Sequence, residues 1–410
     1  MSIAENLGLV LPPPSVARGH EDNVAHLLRP ILEALGYDWT SDVAHKPQFT
    51  HAILGERREA DLGVLRYNSN FFGIAVDLKP YGETLTYGMV EKLAGYCGLA
   101  GALYGILTNG VEIIVIKLTR GVVQWQYESA IPTKEELQSQ LRGYEPPTSV
   151  NEQTYALRLA TGLTEDDVEH FAEYCHNLIR SRRGLAVPQR IYEFSKLLVA
   201  RIVDERRFRE GTQSQLLLTA DALRQLRQRR VNIGEYVQDL LRDINQYVGV
   251  FARNETIDLQ DEVTESIVRR LDMYPLWSEN LDVLGQVYER FLMHTMTGQE
   301  LGQYFTPRSI VRFMVELLDP VLGQTVVDPA CGSGGFLIHS LKHLERKHNL
   351  NRDQAKRAAN KLYGVDVFDT VYKLSKINVW LNGDCHENIS QGDSLDPANC
   401  PDWCVCRQQK

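Results

Sequence analysis

Near the start of the chain, Asp61, Asp77 and Lys79, with Glu21 upstream, are residue types that together could hydrolyse a phosphodiester. Two carboxylates on neighbouring strands of a hairpin can share one Mg²⁺, a hard ion that prefers oxygen ligands and retains waters. In an extended strand Asp77 and Lys79, two positions apart, face the same side. The lysine ammonium would then orient or deprotonate a metal-bound water for attack on the phosphodiester. The expectation is a metal held by Asp61 and Asp77, with Asp61, Asp77, Lys79 and Glu21 as the catalytic set. Asp-x-Lys alone is a common tripeptide that on its own reads as a surface salt pair. Its surroundings must decide.

A second constellation lies far downstream. Val326-Val-Asp328-Pro329-Ala330-Cys-Gly332-Ser-Gly334-Gly-Phe336 reads as a buried strand, a glycine-rich turn and a helix start. Glycines let the backbone approach a ligand without a Cβ clash, here at the carboxyl end of the strand. Tyr363-Gly-Val-Asp366 reads as a strand ending in a carboxylate suited to ribose hydroxyls, and Gly392-Asp393-Ser-Leu395 as a further acidic loop. Gly-x-Gly alone is weak, because dinucleotide-binding folds use it too. The tail Cys400-Pro-Asp-Trp-Cys404-Val-Cys406 fits no standard zinc spacing.

The elements that must position these residues separate into three textures. From Gly19 to about Gln126 a helix pattern (Leu27, Leu28, Ile31, Leu32 and Leu35, closed by Gly36) precedes short apolar runs. Ile74–Val76, Tyr104–Leu107 and Ile113–Ile116 read as buried strands. A breaker-rich linker, Gly143-Tyr-Glu-Pro-Pro-Thr-Ser, follows. From Asn151 to Tyr274 the pattern is helical. Thr164-Glu-Asp-Asp167 has capping-box form, Val168, Phe171, Ala172, Cys175, Leu178 and Ile179 share one face, and Pro188 suits a first turn. Beyond Leu281 helices and strands alternate, which predicts a parallel α/β sheet. The expected domains are 19–130, a helical connector over 151–275, and 281–410.

The composition agrees. A chain of 410 residues, 43% hydrophobic and 24% charged, carries enough apolar material for more than one core and is neither disordered nor fibrous. No stretch reaches the ~20 apolar residues needed to span a bilayer, and Glu5 stands where a signal peptide would be basic. Seven cysteines scattered from Cys97 to Cys406 do not form a disulfide framework, so a cytoplasmic protein is expected. Net charge is −9, yet Arg180–Arg230 holds thirteen Lys or Arg against five Asp or Glu. That stretch is either a track for phosphates or a pair of solvated helices.

The order Glu21 helix, Asp61, Asp77-x-Lys79, Tyr96 helix and Gly105-Ile-Leu-Thr-Asn-Gly110 strand resembles the PD-(D/E)xK nuclease fold at the N-termini of restriction-enzyme subunits. Such proteins often carry Gln four positions before the helix tyrosine, where this chain has Lys92. The Asp-Pro-x-x-Gly-x-Gly-x-Phe block resembles the S-adenosylmethionine motif of N6-adenine DNA methyltransferases of restriction–modification systems, in type I modification subunits or type IIG-like enzymes. Leu284-Gly-Gln-Val-Tyr-Glu-Arg-Phe and Gly302-Gln-Tyr304-Phe305-Thr306-Pro307-Arg308 resemble segments of the same group. The resemblance implies a Rossmann-like methyltransferase fold. It places S-adenosylmethionine against Tyr304, Phe305, Thr306, Pro307, Asp328, Pro329, Ala330, Gly332, Gly334, Phe336, Asp366 and Asp393. In it Asp328 faces the methionine amino group and Asp393 the adenine amino group of the cofactor. It further implies double-stranded DNA as substrate and a specificity or restriction subunit as partner. The family's Asn-Pro-Pro-aromatic tetrapeptide, which grips the flipped base, does not occur, and the expectation is a C-terminally truncated chain. Three readings stay open: a nuclease–methyltransferase in one chain, a cofactor- and DNA-binding subunit that does not methylate, and a nuclease gated by cofactor occupancy. No Gly-x-x-x-x-Gly-Lys-Ser/Thr is present.

Overall fold

The computed structural model describes residues 21–50, 57–67, 71–120, 124–146, 150–161, 165–180, 186–252, 254–276, 288, 292, 306–383 and 387–396. The chain divides into two compact units. One comprises Met1–Leu163, Arg207–Gln215 and Asp272–Glu279; the other comprises Thr164–Arg206, Leu216–Leu271 and Asn280–Lys410.

The first unit is built on a sheet with a helix layer on each face. Helix α1 (Glu21–Ala34) is followed by β1 (Val43–His45), β2 (Gln48–Thr50), β3 (Arg57–Glu59), β4 (Leu62–Arg66) and β5 (Phe72–Leu78). Helix α2 (Tyr87–Ala100), β6 (Tyr104–Thr108), β7 (Ile113–Arg120), β8 (Gln124–Glu128), α3 (Lys134–Leu141) and α4 (Val150–Thr161) complete it. Six strands pair in the order β1-β4-β5-β6-β7-β8, parallel between β5 and β6 and antiparallel elsewhere. Strand β5 is buried along its whole length, as a strand covered on both faces must be. Ile74, Val76 and Leu78 pack with Val24, Leu28, Ile31 and Leu32 of α1, while Ala75 joins Val90, Leu93, Ala94 and Cys97 of α2. Alternation therefore puts Asp77 on the α2 side of the sheet. Helices α2 and α4 touch backbone to backbone: a Cβ on Gly95 would stand 2.4 Å from Ala160 N and 2.7 Å from Ala156 O.

The second unit begins with helices: α5 (Glu165–Arg180), α6 (Val187–Arg209, of which Arg207–Arg209 lie in the first unit), α7 (Ala220–Gln228), α8 (Ile233–Val248) and α9 (Asp261–Leu271). The face predicted for α5 is buried at Phe171, Ala172, Cys175 and Ile179, and Leu178 is half-buried. Helix α6 carries a lysine into the interior. Lys196 Nζ lies 2.6 Å from Glu193 Oε1, 2.9 Å from Glu255 Oε1 and 2.7 Å from Thr256 O, which compensates the cost of taking the ammonium out of water.

Part of the positive charge between Arg180 and Arg230 is buried, and part is paired at the surface. Arg201 is buried and donates to Leu218 O at 3.1 Å, Arg209 pairs with Glu91 at 2.8 Å within the first unit, and Arg227 pairs with Glu262 at 2.7 Å. Arg229 and Arg230 are exposed. Neither sequence alternative describes this stretch fully.

The α/β alternation follows as α10 (Arg308–Leu318), β9 (Val326–Asp328), α11 (Gly335–His348), α12 (Arg352–Ala359), β10 (Leu362–Asp366), α13 (Asp369–Gly383) and β11 (Ile389–Gln391). The three strands pair in parallel in the order β11-β10-β9. Leu337, Ile338, Leu341 and Leu344 of α11, Ala358 and Ala359 of α12, and Val379 of α13 form the core with Leu362 and Ile389. Gly364 on β10 admits this packing, because a Cβ there would come within 2.9 Å of Leu337 and 3.0 Å of Ile389.

Candidate functional site

In the first unit, Asp61 precedes β4 and Asp77 lies next to the end of β5. Asp61 is tied to the strand on both sides of Asp77: its N–H donates to Val76 O at 3.2 Å, and its carboxylate accepts Leu78 N–H at 2.6 Å. Lys79 Nζ lies 2.8 Å from Asp77 Oδ1, as the alternation of an extended strand requires. Asp77 is only 5% exposed, and its Oδ2 is buried without a hydrogen-bond partner. A buried, unsatisfied carboxylate oxygen is costly, and a cation is one way to satisfy it. Carboxylate oxygens are the ligand type that a hard divalent ion takes. Among the described residues, no group of three or more His, Cys, Asp or Glu side chains is arranged to hold a metal. Glu21 opens α1, but its side chain lies outside the described residues. Lys92 turns its ammonium over the Tyr96 ring at 5.5 Å.

The segment after Lys79 is pinned by the end of β6. Lys79 N–H donates to Thr108 O at 2.8 Å, Gly82 N–H to Asn109 O at 3.1 Å, and Asn109 Nδ2 to Glu83 O at 2.7 Å. Asn109 Oδ1 in turn accepts the N–H groups of Val111 and Glu112 at 2.8 and 2.7 Å. The sequence pattern assigns Asn109 only to a strand end. Its side chain is what fixes the loop beyond the lysine.

In the second unit, the glycine-rich turn joins β9 to α11. Gly332 and Gly334 have φ of +54° and +80°, in the left-handed region where glycine avoids the strain of a side chain. Asp328 Oδ1 accepts Ala330 N–H at 3.2 Å. Asp366, at the end of the neighbouring strand, accepts Gly332 N–H on Oδ2 at 3.0 Å and Phe368 N–H on Oδ1 at 3.0 Å. Burial, with the Asp366 charge nearby, raises the Asp328 carboxyl above its ordinary range. Asp393 follows β11, and its Oδ1 accepts Leu395 N–H at 2.9 Å. Asp328, Asp366 and Asp393 thus sit at or just beyond the carboxyl ends of adjacent parallel strands, where α/β folds bind ligands.

Pro329 and Ala330 are exposed in the turn, Phe336 is half-buried at the start of α11, and Thr306 and Pro307 are exposed just before α10. Tyr304 and Phe305 lie outside the described residues. The chemistry suits a ligand with an ammonium at one end and a diol further along, and S-adenosylmethionine has both. Two contributors are not evident from the sequence motifs. Asn378 of α13 donates to Ser333 O at 2.8 Å, and Ser375 Oγ lies 3.6 Å from Cys331 Sγ. Their signal is small polar residues at helical spacing, Ser375, Asn378 and Asn382, interleaved with the apolar positions Val371, Leu374, Ile377 and Leu381.

Comparison with known proteins bears on this second region. Residues 279–402 match the family model described as N-6 DNA Methylase. The chain is 33% identical over 106 residues to the type I restriction enzyme EcoEI methylase subunit of Escherichia coli, covering 26% of this chain and 22% of that protein. It is 39% identical over 105 residues to the HindI methylase subunit of Haemophilus influenzae, covering 25% and 22%. These matches span about a fifth of the length of either relative. A solved type I restriction–modification methyltransferase subunit from Streptococcus thermophilus aligns with 16% identity and a TM-score of 0.42, over 60% of this chain and 61% of that one. Residues 279–402, which contain the glycine-rich turn and all three strand-end carboxylates, are thus similar to N-6 DNA methylases.

Proposed function

We propose that the chain contains the cofactor-binding part of a restriction–modification DNA adenine-N6 methyltransferase, transferring a methyl group from S-adenosylmethionine to adenine in DNA. The observation that carries this reading is the turn between β9 and α11, with Asp328 at its base and Asp366 closing it through Gly332 N–H. Asp328 would take the methionine ammonium, Asp366 the ribose hydroxyls and Asp393 the adenine amino group. S-Adenosylmethionine supplies a methyl group on a sulfonium, ready for transfer to a nucleophile. The chain's own part is to bind and orient. Partners in this reading are double-stranded DNA and a specificity or restriction subunit. Calorimetry tests it. Asp328→Ala should weaken S-adenosylmethionine binding ten- to a hundredfold, in line with ~1.5–3 kcal/mol for a charge-assisted hydrogen bond. Unchanged affinity in a folded variant overturns the assignment.

A second activity is favoured by the orphaned Asp77 Oδ2 beside Asp61 and Lys79. The first unit would then be a PD-(D/E)xK-like, Mg²⁺-dependent endonuclease. Asp61 and Asp77 would hold the ion, which neutralises charge on the scissile phosphate and acidifies its bound water. Lys79 would place its charge beside that water, with Glu21 near. Lys79→Gln should abolish nicking while DNA retention in gel shifts persists. A wild-type chain that never nicks DNA with Mg²⁺ or Mn²⁺, partner subunits supplied, makes the unit a DNA-gripping domain instead.

A further inference from the structure

The glycine-rich turn is held from behind as well as from the side. Asn378 is fully buried, and its Nδ2 donates to Ser333 O at 2.8 Å, across forty-five positions of sequence. Ser333 is itself buried and lies between the two glycines with left-handed φ. Gly334 N–H closes the turn onto Cys331 O at 2.7 Å, and Cys331 N–H reaches Val365 O at 2.8 Å. Ser375 stands one helical turn before Asn378, and its Oγ is 2.7 Å from where a Cβ on Gly334 would be. Helix α13 therefore supplies the floor of the turn, while Asp366 fixes its flank through Gly332 N–H. A buried carbonyl deprived of its donor cannot turn to water, so the peptide must rotate or the turn must open.

We propose that Asn378 is a positioning residue for the cofactor site: by holding the Ser333 carbonyl inward it fixes the peptide planes of the Gly332–Gly335 backbone that faces the ligand. This rests on the reading of that turn as the S-adenosylmethionine site. Glycine backbone has no preference for this shape, because both glycines occupy left- and right-handed regions with similar ease. The shape must be imposed from outside, and the Asn378 amide and Asp366 carboxylate bond directly to Ser333 O and Gly332 N–H, as Asp328 does to Ala330 N–H at the start of the turn.

The test uses the full chain with Asn378→Asp, nearly isosteric but with an oxygen replacing the donor nitrogen. Its control is Ile377→Ala, which truncates a buried side chain on another face of α13 and removes no hydrogen bond. Hydrogen exchange of the peptide containing residues 331–336 and calorimetric affinity for S-adenosylmethionine are both measured, with thermal stability as reference. The expected result is faster exchange in that peptide and at least tenfold weaker affinity for Asn378→Asp. Ile377→Ala should lose stability with affinity within twofold of wild type. Unaltered exchange in the turn for a folded Asn378→Asp, or an equal loss of affinity in both variants, overturns the role given to Asn378. A wild-type chain that takes up no S-adenosylmethionine overturns the cofactor reading and the ligand named here with it, whatever the exchange shows.

Discussion

Asp328 shows how one carboxyl can oppose the fold and serve the ligand. Its pKa is raised by burial, so the folded chain keeps this proton to higher pH than the unfolded one. That preference stabilises the fold fully below the ordinary carboxylate range and is lost as pH rises through the raised value. At neutral pH the charge is a net cost, and Asp328→Asn should raise the melting temperature while weakening cofactor binding. A fall in both would show that the charge is not strained. An ammonium ligand needs the ionised form, so affinity should fall as pH is lowered through the raised value, with proton release on binding seen by calorimetry in two buffers. At ~100 times its Kd, Mg²⁺ should stabilise the first unit by ~2.7 kcal/mol, and Asp77→Asn should remove most of that shift. Equal shifts in both chains would refute the metal site. At this scale the sequence was informative where spacing is local. Asp77 and Lys79 meet because strands alternate, and Gly332 and Gly334 announce a turn. Asn378 was illegible because its partner is remote in sequence.

At the scale of elements, the close approach of α2 and α4 hinges on Gly95. A methyl group there would meet backbone atoms of Ala156 and Ala160, which cannot step aside as a side-chain end can. Gly95→Ala gains ~1 kcal/mol of helix propensity, yet forcing the helices apart costs more, and a net loss of ~2–3 kcal/mol in urea denaturation is expected. A neutral result would mean that the helices can separate freely. Helix α6 does the opposite by burying a charge, Lys196, with Glu193 and Glu255. Lys196→Ala leaves two carboxylates short of a cation and should cost ~3–5 kcal/mol. Strands β5, β6, β7 and β10 were legible as apolar runs, and α1 and α5 as periodic faces; β9 is a strand as expected but not a buried one, with Val327 48% exposed. The pairing of α4 with α2 was not, since alanines and a glycine carry little periodic signal.

Across the whole molecule, charge location matters more than the sum of −9. Sequence counts the arginines of Arg180–Arg230 alike, whereas the fold buries Arg201 and occupies Arg224 and Arg227 with Asp221 and Glu262. Exposed Arg229 and Arg230 are better placed to meet phosphates. Replacing both with Gln should lower the salt slope of DNA binding by up to ~1.8, at ~0.9 for each phosphate left without its cation. Arg201→Gln should instead lower stability. If the slope is unchanged by the exposed pair, this stretch does not touch DNA. No helix among the described residues is long and apolar enough to cross a membrane.

The three-stranded sheet ends at β9, and among the described residues no strand pairs with its far side. Val327 on that strand is 48% exposed, and Phe313, Leu317 and Leu318 of α10 are 64%, 73% and 78% exposed. Exposed apolar side chains of this kind are adhesive. Solutions of this chain should accordingly scatter light increasingly with concentration well below the unfolding temperature. A lysine at Val327 or Leu317 should suppress that turbidity without shifting the melting point.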